Sequence, residues 1–203
     1  KALRNEKVDS LVWAPNFDYW LKVNTDEGTL PEKYTGMSRN DIVRSIGGYI
    51  WNRAKGIKAV LDKSIQKVSR REGDKEIQEF ITPIGTITEV RVEAEGRHRT
   101  LFLKEHFIKS LDDLKVMKYV VEGTHYEPAY DNTRKALAET GDDGVVLNSQ
   151  FCVPFIQFAK TDAGYINGFY MWVDHRKEVD SLLNAYFKNF LEGYRILADG
   201  PAD

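Results

Sequence analysis

Two short polar clusters carry the side chains best suited to chemistry, and each follows directly on an apolar run. In the first, Leu11-Val12-Trp13 is stopped by Pro15 and followed by Asn16, Phe17, Asp18 and Tyr19. A carboxylate next to a phenol can hold, donate or accept a proton at a substrate atom, which makes Asp18 and Tyr19 the candidate catalytic pair. Trp13, Asn16 and Phe17 beside them would give an organic ligand an aromatic wall and an amide to bond. In the second cluster Val145-Val146-Leu147 runs into Asn148, Ser149 and Gln150, three neutral hydrogen-bonding side chains suited to orienting a substrate. The plainer alternatives stay open: Asp18 would also serve as the cap of a helix carrying Tyr19, Trp20 and Leu21, and Trp13, Phe17 and Trp20 would also serve as core.

Other reactive types are placed less favourably. His98 and His106 flank an expected hairpin and read as solvated, His125 falls in a loop, and His175 stands at a helix end; no two have the i, i+4 spacing of helical metal ligands, so no metal site is expected from them. Asp142 and Asp143 lie inside Gly141-Asp-Asp-Gly144, which is ordinary turn chemistry before it is a cation site. Cys152 is the single cysteine, and Phe151, Val153 and Phe155 around it suggest a small buried hydrophobe rather than a nucleophile or ligand. The chain contains no GxGxxG, P-loop or GxSxG motif, which removes the usual sequence arguments for dinucleotides, nucleoside triphosphates or a hydrolase elbow.

The elements that would position these residues alternate between strand and helix. Leu11 to Trp13 reads as a first buried strand, and Ser38 with Asp41 three residues on opens a helix through Ile42, Ile46 and Ile50. From Ala59 to Thr100 the pattern is β, with turns at Glu72-Gly73-Asp74 and Glu95-Gly96, and is expected to be an antiparallel insertion at about 64–103 projecting from the main body. Helices are expected from Ser110 to near Gly123 and from Tyr130 to Thr140, a buried strand at Val145-Val146-Leu147, and a final helix capped by Asp174 with Val179, Leu182, Leu183, Tyr186, Phe190, Tyr194 and Leu197 on one side. Such alternation predicts α/β architecture with a parallel sheet, in which both polar clusters would lie at strand ends on one rim.

Composition narrows the class. At 203 residues, 42% hydrophobic and 12% aromatic, the chain can fill a substantial core, while 29 Lys+Arg against 31 Asp+Glu leave a net charge of -2. With no long block of like charge, nucleic acid is not an expected partner. No apolar run approaches the ~20 residues of a membrane helix, and one cysteine excludes an internal disulfide framework. A cytoplasmic setting is expected.

Several stretches together resemble the uroporphyrinogen decarboxylase-like superfamily: Val8 to Trp20, Thr82-Pro83-Ile84-Gly85-Thr86, Ile108-Lys109-Ser110-Leu-Asp-Asp-Leu114, Gly141-Asp-Asp-Gly-Val-Val146 with Pro154 after it, and Arg195-Ile-Leu-Ala198. The resemblance covers nearly the whole chain and implies a (β/α)8 TIM-type barrel, here incomplete: residues 1–203 as its N-terminal part, with the β-hairpin insertion. True uroporphyrinogen decarboxylases carry an arginine just after the first strand to pair with tetrapyrrole carboxylates, whereas Pro15-Asn-Phe-Asp-Tyr-Trp20 has none. The resemblance therefore implies the methyltransferase branch, which moves a methyl group from a methylated small molecule to a corrinoid protein or a thiol. It also implies zinc as a Lewis acid and a corrinoid partner for the complete enzyme, neither cofactor being held by this chain alone.

Lys1 at the start and Gly200-Pro201-Ala202-Asp203 at the end read as cut ends, so the remaining barrel half or a second chain is expected to complete the parallel sheet. A non-catalytic binding module that recruits a partner through its open edge or hairpin is the alternative from another class, and a decarboxylase of a small organic acid is a third.

Overall fold

The computed structural model describes residue 7 and residues 11–94, 100–148 and 151–201, which form two compact units. The smaller takes residues up to Gly56 with Ala129–Ser149 and the last four; the larger takes Ile57–Pro128 and Gln150–Asp199.

In the smaller unit, helices α1 (Asp18–Asp26) and α2 (Arg39–Ser45) precede strand β1 (Ile50–Ala54), and helix α4 (Tyr130–Thr140) precedes strand β8 (Gly144–Asn148). β1 and β8 pair in parallel, from Ile50 opposite Gly144 to Ala54 opposite Asn148. Gly144 is required there, because a Cβ on it would stand 1.9 Å from the Ile50 carbonyl oxygen. α4 covers one face of the pair with Thr133 and Thr140, both buried, and Asn52 donates to the Thr140 hydroxyl at 2.8 Å.

α2 begins as its sequence dictates, with Ser38 Oγ accepting from the Asp41 amide and Asp41 returning the bond to Ser38. It does not reach Ile50, however. Gly47 takes φ +72° and turns the chain, so Ile42 is buried on the helix and Ile50 on the strand. The expected strand at Leu11 to Trp13 is absent: these residues are irregular, Leu11 is 86% exposed, and the Trp13 carbonyl accepts one bond, from Tyr49 at 2.9 Å. Three apolar residues before a proline are too few to hold a strand without a neighbour to complete the ladder.

The larger unit pairs β2 (Ile57–Leu61) antiparallel with β7 (Thr124–Pro128) and builds a four-stranded antiparallel meander from β3 (Gln66–Glu72), β4 (Lys75–Thr82), β5 (Gly85–Glu93) and β6 (Leu101–Glu105). Gly73 at φ +62° makes the two-residue turn between β3 and β4, where the Glu72-Gly73-Asp74 signal predicts one. The Glu95-Gly96 turn and His98 lie outside the described residues. The β pattern expected here is met by antiparallel strands, but instead of projecting they form part of a core wall: Ile87 is buried in one cluster with Leu114, Met117 and Val120 of α3 (Leu111–Glu122).

Ser110 caps α3 as expected, accepting from the Asp113 amide at 3.2 Å, and Gly123 ends it. The last helix, α7 (Arg176–Ala198), buries Val179, Leu182, Tyr186 and Phe190 in the same cluster. Asp174 does not cap it; Asp174 closes the preceding helix α6 (Tyr165–Asp174), and His175 occupies the junction, its carbonyl accepting from Val179. Pro154 opens the short helix α5 (Pro154–Ile156) as expected, and this runs into a π-helical segment, Gln157–Asp162.

The architecture is thus α/β, with open sheets and no closed barrel, and parallel pairing among the described residues is confined to β1 and β8. No helix among them is long and apolar enough to cross a membrane. Leu182→Ala should cost about 3 kcal/mol of stability, the usual cost of a buried leucine cavity, while Leu11→Ala should stay within about 0.5 kcal/mol. Urea unfolding of both variants measures the contrast, and a large loss at Leu11 would restore the buried first strand.

Candidate functional site

At the C-terminal end of the parallel pair, Asn148 is the last residue of β8 and faces Ala54 across the ladder. Its Oδ1 accepts from the Thr133 hydroxyl of α4 at 3.3 Å, while its Nδ2 is buried with no hydrogen-bond partner among the described residues. Gly56 lies against the same amide: a Cβ there would stand 2.8 Å from Oδ1. A buried amide nitrogen left without an acceptor is costly, and strand ends are where α/β sheets hold ligands, so Asn148 offers two donor hydrogens for a substrate or water oxygen. Ser149 and Gln150, expected beside it, lie outside the described residues.

The first cluster is organised by Arg39. Asp18 is the opening residue of α1 and not its cap; the cap position belongs to Phe17, which makes no side-chain cap bond. The Asp18 carboxylate forms an ion pair with the Arg39 guanidinium, which also lies 5.9 Å from the Phe17 ring centre. Phe17 meets Trp20 edge-on at 6.2 Å, and Trp20 meets Tyr34 in the same way. Trp13, Asn16, Asp18 and Tyr19 are all exposed, so these aromatics form a surface group and not a core. Asn148 bonds to Thr133 and Asp18 to Arg39, so the two clusters are held by different partners.

Two expectations for reactive side chains change and one stands. Cys152 is exposed despite its apolar neighbours. His106 is not solvated: its Nδ1 donates to the Thr161 carbonyl at 2.7 Å, which fixes the neutral ring as the Nδ1–H tautomer. Asp143 sits in a 3-10 turn and pairs with Arg44 at 2.6 Å, in keeping with turn chemistry. No group of three His, Cys, Asp or Glu side chains that could hold a metal ion occurs among the described residues.

A strongly perturbed carboxyl lies outside both predicted clusters. Asp162 ends the π-helical segment and is 3% exposed, with Oδ2 accepting from the Tyr186 hydroxyl at 2.6 Å and Oδ1 from the Gln157 amide at 3.0 Å. Burial pushes its carboxyl up to about 7, against the two hydrogen bonds and with some help from the nearby Glu89 charge. Burial likewise holds the Tyr186 phenol well above its ordinary value. The π geometry makes the placement: its shifted ladder lets the Thr161 and Asp162 carbonyls accept from His106 and from the Ile108 amide at 2.7 Å, which ties the segment to the chain leaving β6. A signal existed in Tyr186, a phenol on the apolar side of α7 that needs a hydrogen-bond partner when buried.

No family model, curated protein or solved structure matches the chain.

Asp162 gives a pH dependence of definite sign. The folded chain keeps this proton up to about pH 7, whereas an unfolded aspartate releases it near 3.8. Between those values the folded state binds more protons, so stability falls as pH rises through that window. Urea unfolding from pH 4 to 7.5 should show a shallower decline in Asp162→Asn than in the native sequence; parallel curves would mean that Asp162 ionises like an exposed aspartate.

Proposed function

We propose that the chain is the amino-terminal portion of a uroporphyrinogen decarboxylase-like methyltransferase, part of a (β/α)8 barrel that passes a methyl group from a methylated small molecule to a corrinoid protein or thiol in the cytoplasm. The resemblance of its segments supplies the family. The observation that carries the reading is the parallel pair β1 and β8, with a helix crossing before β8 and, at its C-terminal end, a buried Asn148 Nδ2 that has no partner among the described residues. In this reading Asn148, with Ser149 and Gln150, binds and orients the substrate. Asp18 and Tyr19 act at the reacting group, and Trp13, Asn16 and Phe17 line it. The Arg39 ion pair fixes the direction of the Asp18 carboxylate. Zinc would supply Lewis-acid chemistry in a complete enzyme, and its ligands would come from outside the described residues.

In the complete enzyme Asp18→Asn should lower methyl transfer at least about a hundredfold, the usual lower range for a positioned acid or base. Asn148→Ala should raise KM with kcat little changed, as expected for a residue that binds ground state and transition state alike. Steady-state assays with a methylated substrate and free cobalamin as acceptor measure both, and native rates in Asp18→Asn would remove Asp18 from the site.

One observation favours the second reading, a binding module. Helix α6 leaves Tyr165, Ile166, Phe169, Tyr170 and Val173 exposed, a larger apolar group than soluble surfaces usually carry. Sedimentation of the 203-residue chain separates the two. A stable monomer without the complement supports the module, while association, or a need for further polypeptide to stay in solution, supports the barrel portion.

A further inference from the structure

The larger unit contains a cleft of about 300 Å³ between the inner face of the meander and helices α3 and α7, with Asp162 and Tyr186 in its lining. Its walls are aromatic. Phe151 stacks on Phe190 at 4.5 Å and meets Tyr126 at 5.2 Å, and Phe80 lies 5.3 Å from Phe107.

The charges facing this cleft are unequal in their freedom. Glu89, 1% exposed, is matched by Arg91 at 2.7 Å. Lys67 sits at the rim with its ammonium 5.5 Å from the Phe80 ring centre, already making the contact a cation makes with such a wall. Tyr126 donates to Asn189 at 2.7 Å and stays protonated, its phenol pushed up to about 12 by burial. Asp162 differs from all of these. Its hydrogen-bond partners among the described residues are neutral donors, the Tyr186 hydroxyl and the Gln157 amide, and each carboxylate oxygen retains a lone pair. A buried carboxylate among aromatic rings with no cation of its own is stabilised by a cation that brings its own apolar surface.

We propose that this cleft binds a small organic ammonium ion with an aromatic or branched apolar body, the Asp162 carboxylate serving as its counter-ion and the phenylalanine faces as its walls. The cleft volume suits a ligand of one ring. The neutral donors on Asp162 hold the carboxylate in one orientation, so the ammonium meets a fixed charge, and the π-helical segment is the device that turns that charge toward the cleft. This site lies in the larger unit and stands without the methyltransferase reading.

Calorimetric titration of the 203-residue chain with benzylamine, benzyl alcohol and benzoate, three ligands of one shape and different charge, tests it. At pH 8 benzylamine should bind at least about tenfold more tightly than benzyl alcohol, and Asp162→Asn should bring benzylamine down to the affinity of the alcohol. Titration of the native chain at pH 6, in two buffers of different protonation enthalpy, should show proton release as the ammonium fixes Asp162 in its ionised form. That readout does not depend on the variant folding. Equal binding of amine and alcohol, tighter binding of benzoate through Lys67 and Arg91, no binding of any of the three, or no proton release would each overturn the proposal.

Discussion

Helix α7 runs 23 residues with Val179, Leu182, Tyr186 and Phe190 along one side, and each of these side chains has to leave water for the helix to persist. Burying one such side chain gains roughly 1.5–3 kcal/mol, so the stripe outweighs anything helix propensity alone could supply. α3 answers it with Leu114, Met117, Val120 and Val121, and Ile87 and Phe107 close the cluster from the sheet side. The meander is thereby held against the helices, and β2 and β7 lie along α7 with Tyr126 and Asn189 bonded at 2.7 Å.

Polar groups inside this apolar packing fix register where the hydrophobic effect would leave it loose. Asp162 bonds Tyr186 across from the π-helical segment to α7, and Asn189 donates to the carbonyls of Val121 and Thr124 at the end of α3. Each bond contributes only about 1 kcal/mol net, but leaving a buried partner unmatched costs more than that, so a slip of α7 by one residue would be penalised at both points. Asn148 in the smaller unit is the exception, since its Oδ1 is matched and its Nδ2 is not. Two buried amides with opposite outcomes separate a side chain that holds the fold from one that has a donor to offer.

Most of the elements were legible because their signals are local. The Ser38 and Asp41 box, the Ser110 cap, the Gly73 turn, the helix over Tyr130 to Thr140 and the periodic stripe of α7 all depend on residues within a turn or two of one another. Leu11 to Trp13 failed for the converse reason: a buried strand is defined by a neighbour in space, and an apolar triplet says nothing of whether one exists. The same limit hid the best-built polar site. Asp162 and Tyr186 are 24 residues apart, and Asp162 acquires its character from desolvation by residues on three other elements. Asp18 and Tyr19, conspicuous as adjacent letters, gain no burial, and Asp18 takes as its partner an arginine 21 residues away.

The two exposed borders of the larger unit are treated differently, and that difference bears on function. β3 is an edge strand carrying Lys67, Arg70, Arg71 and Glu72, with Arg70 paired to Glu79 on the neighbouring strand; charge of this density discourages a further strand from adding. α6 has no such protection: Tyr165, Ile166, Phe169, Tyr170 and Val173, side by side on one helix, all meet water. A sequence that guards one border with charge and leaves another apolar makes the second the easier one to cover. Further polypeptide in a barrel and a partner in a binding module are two ways to cover the same face, and both readings of function therefore turn on α6 rather than on the charged edge.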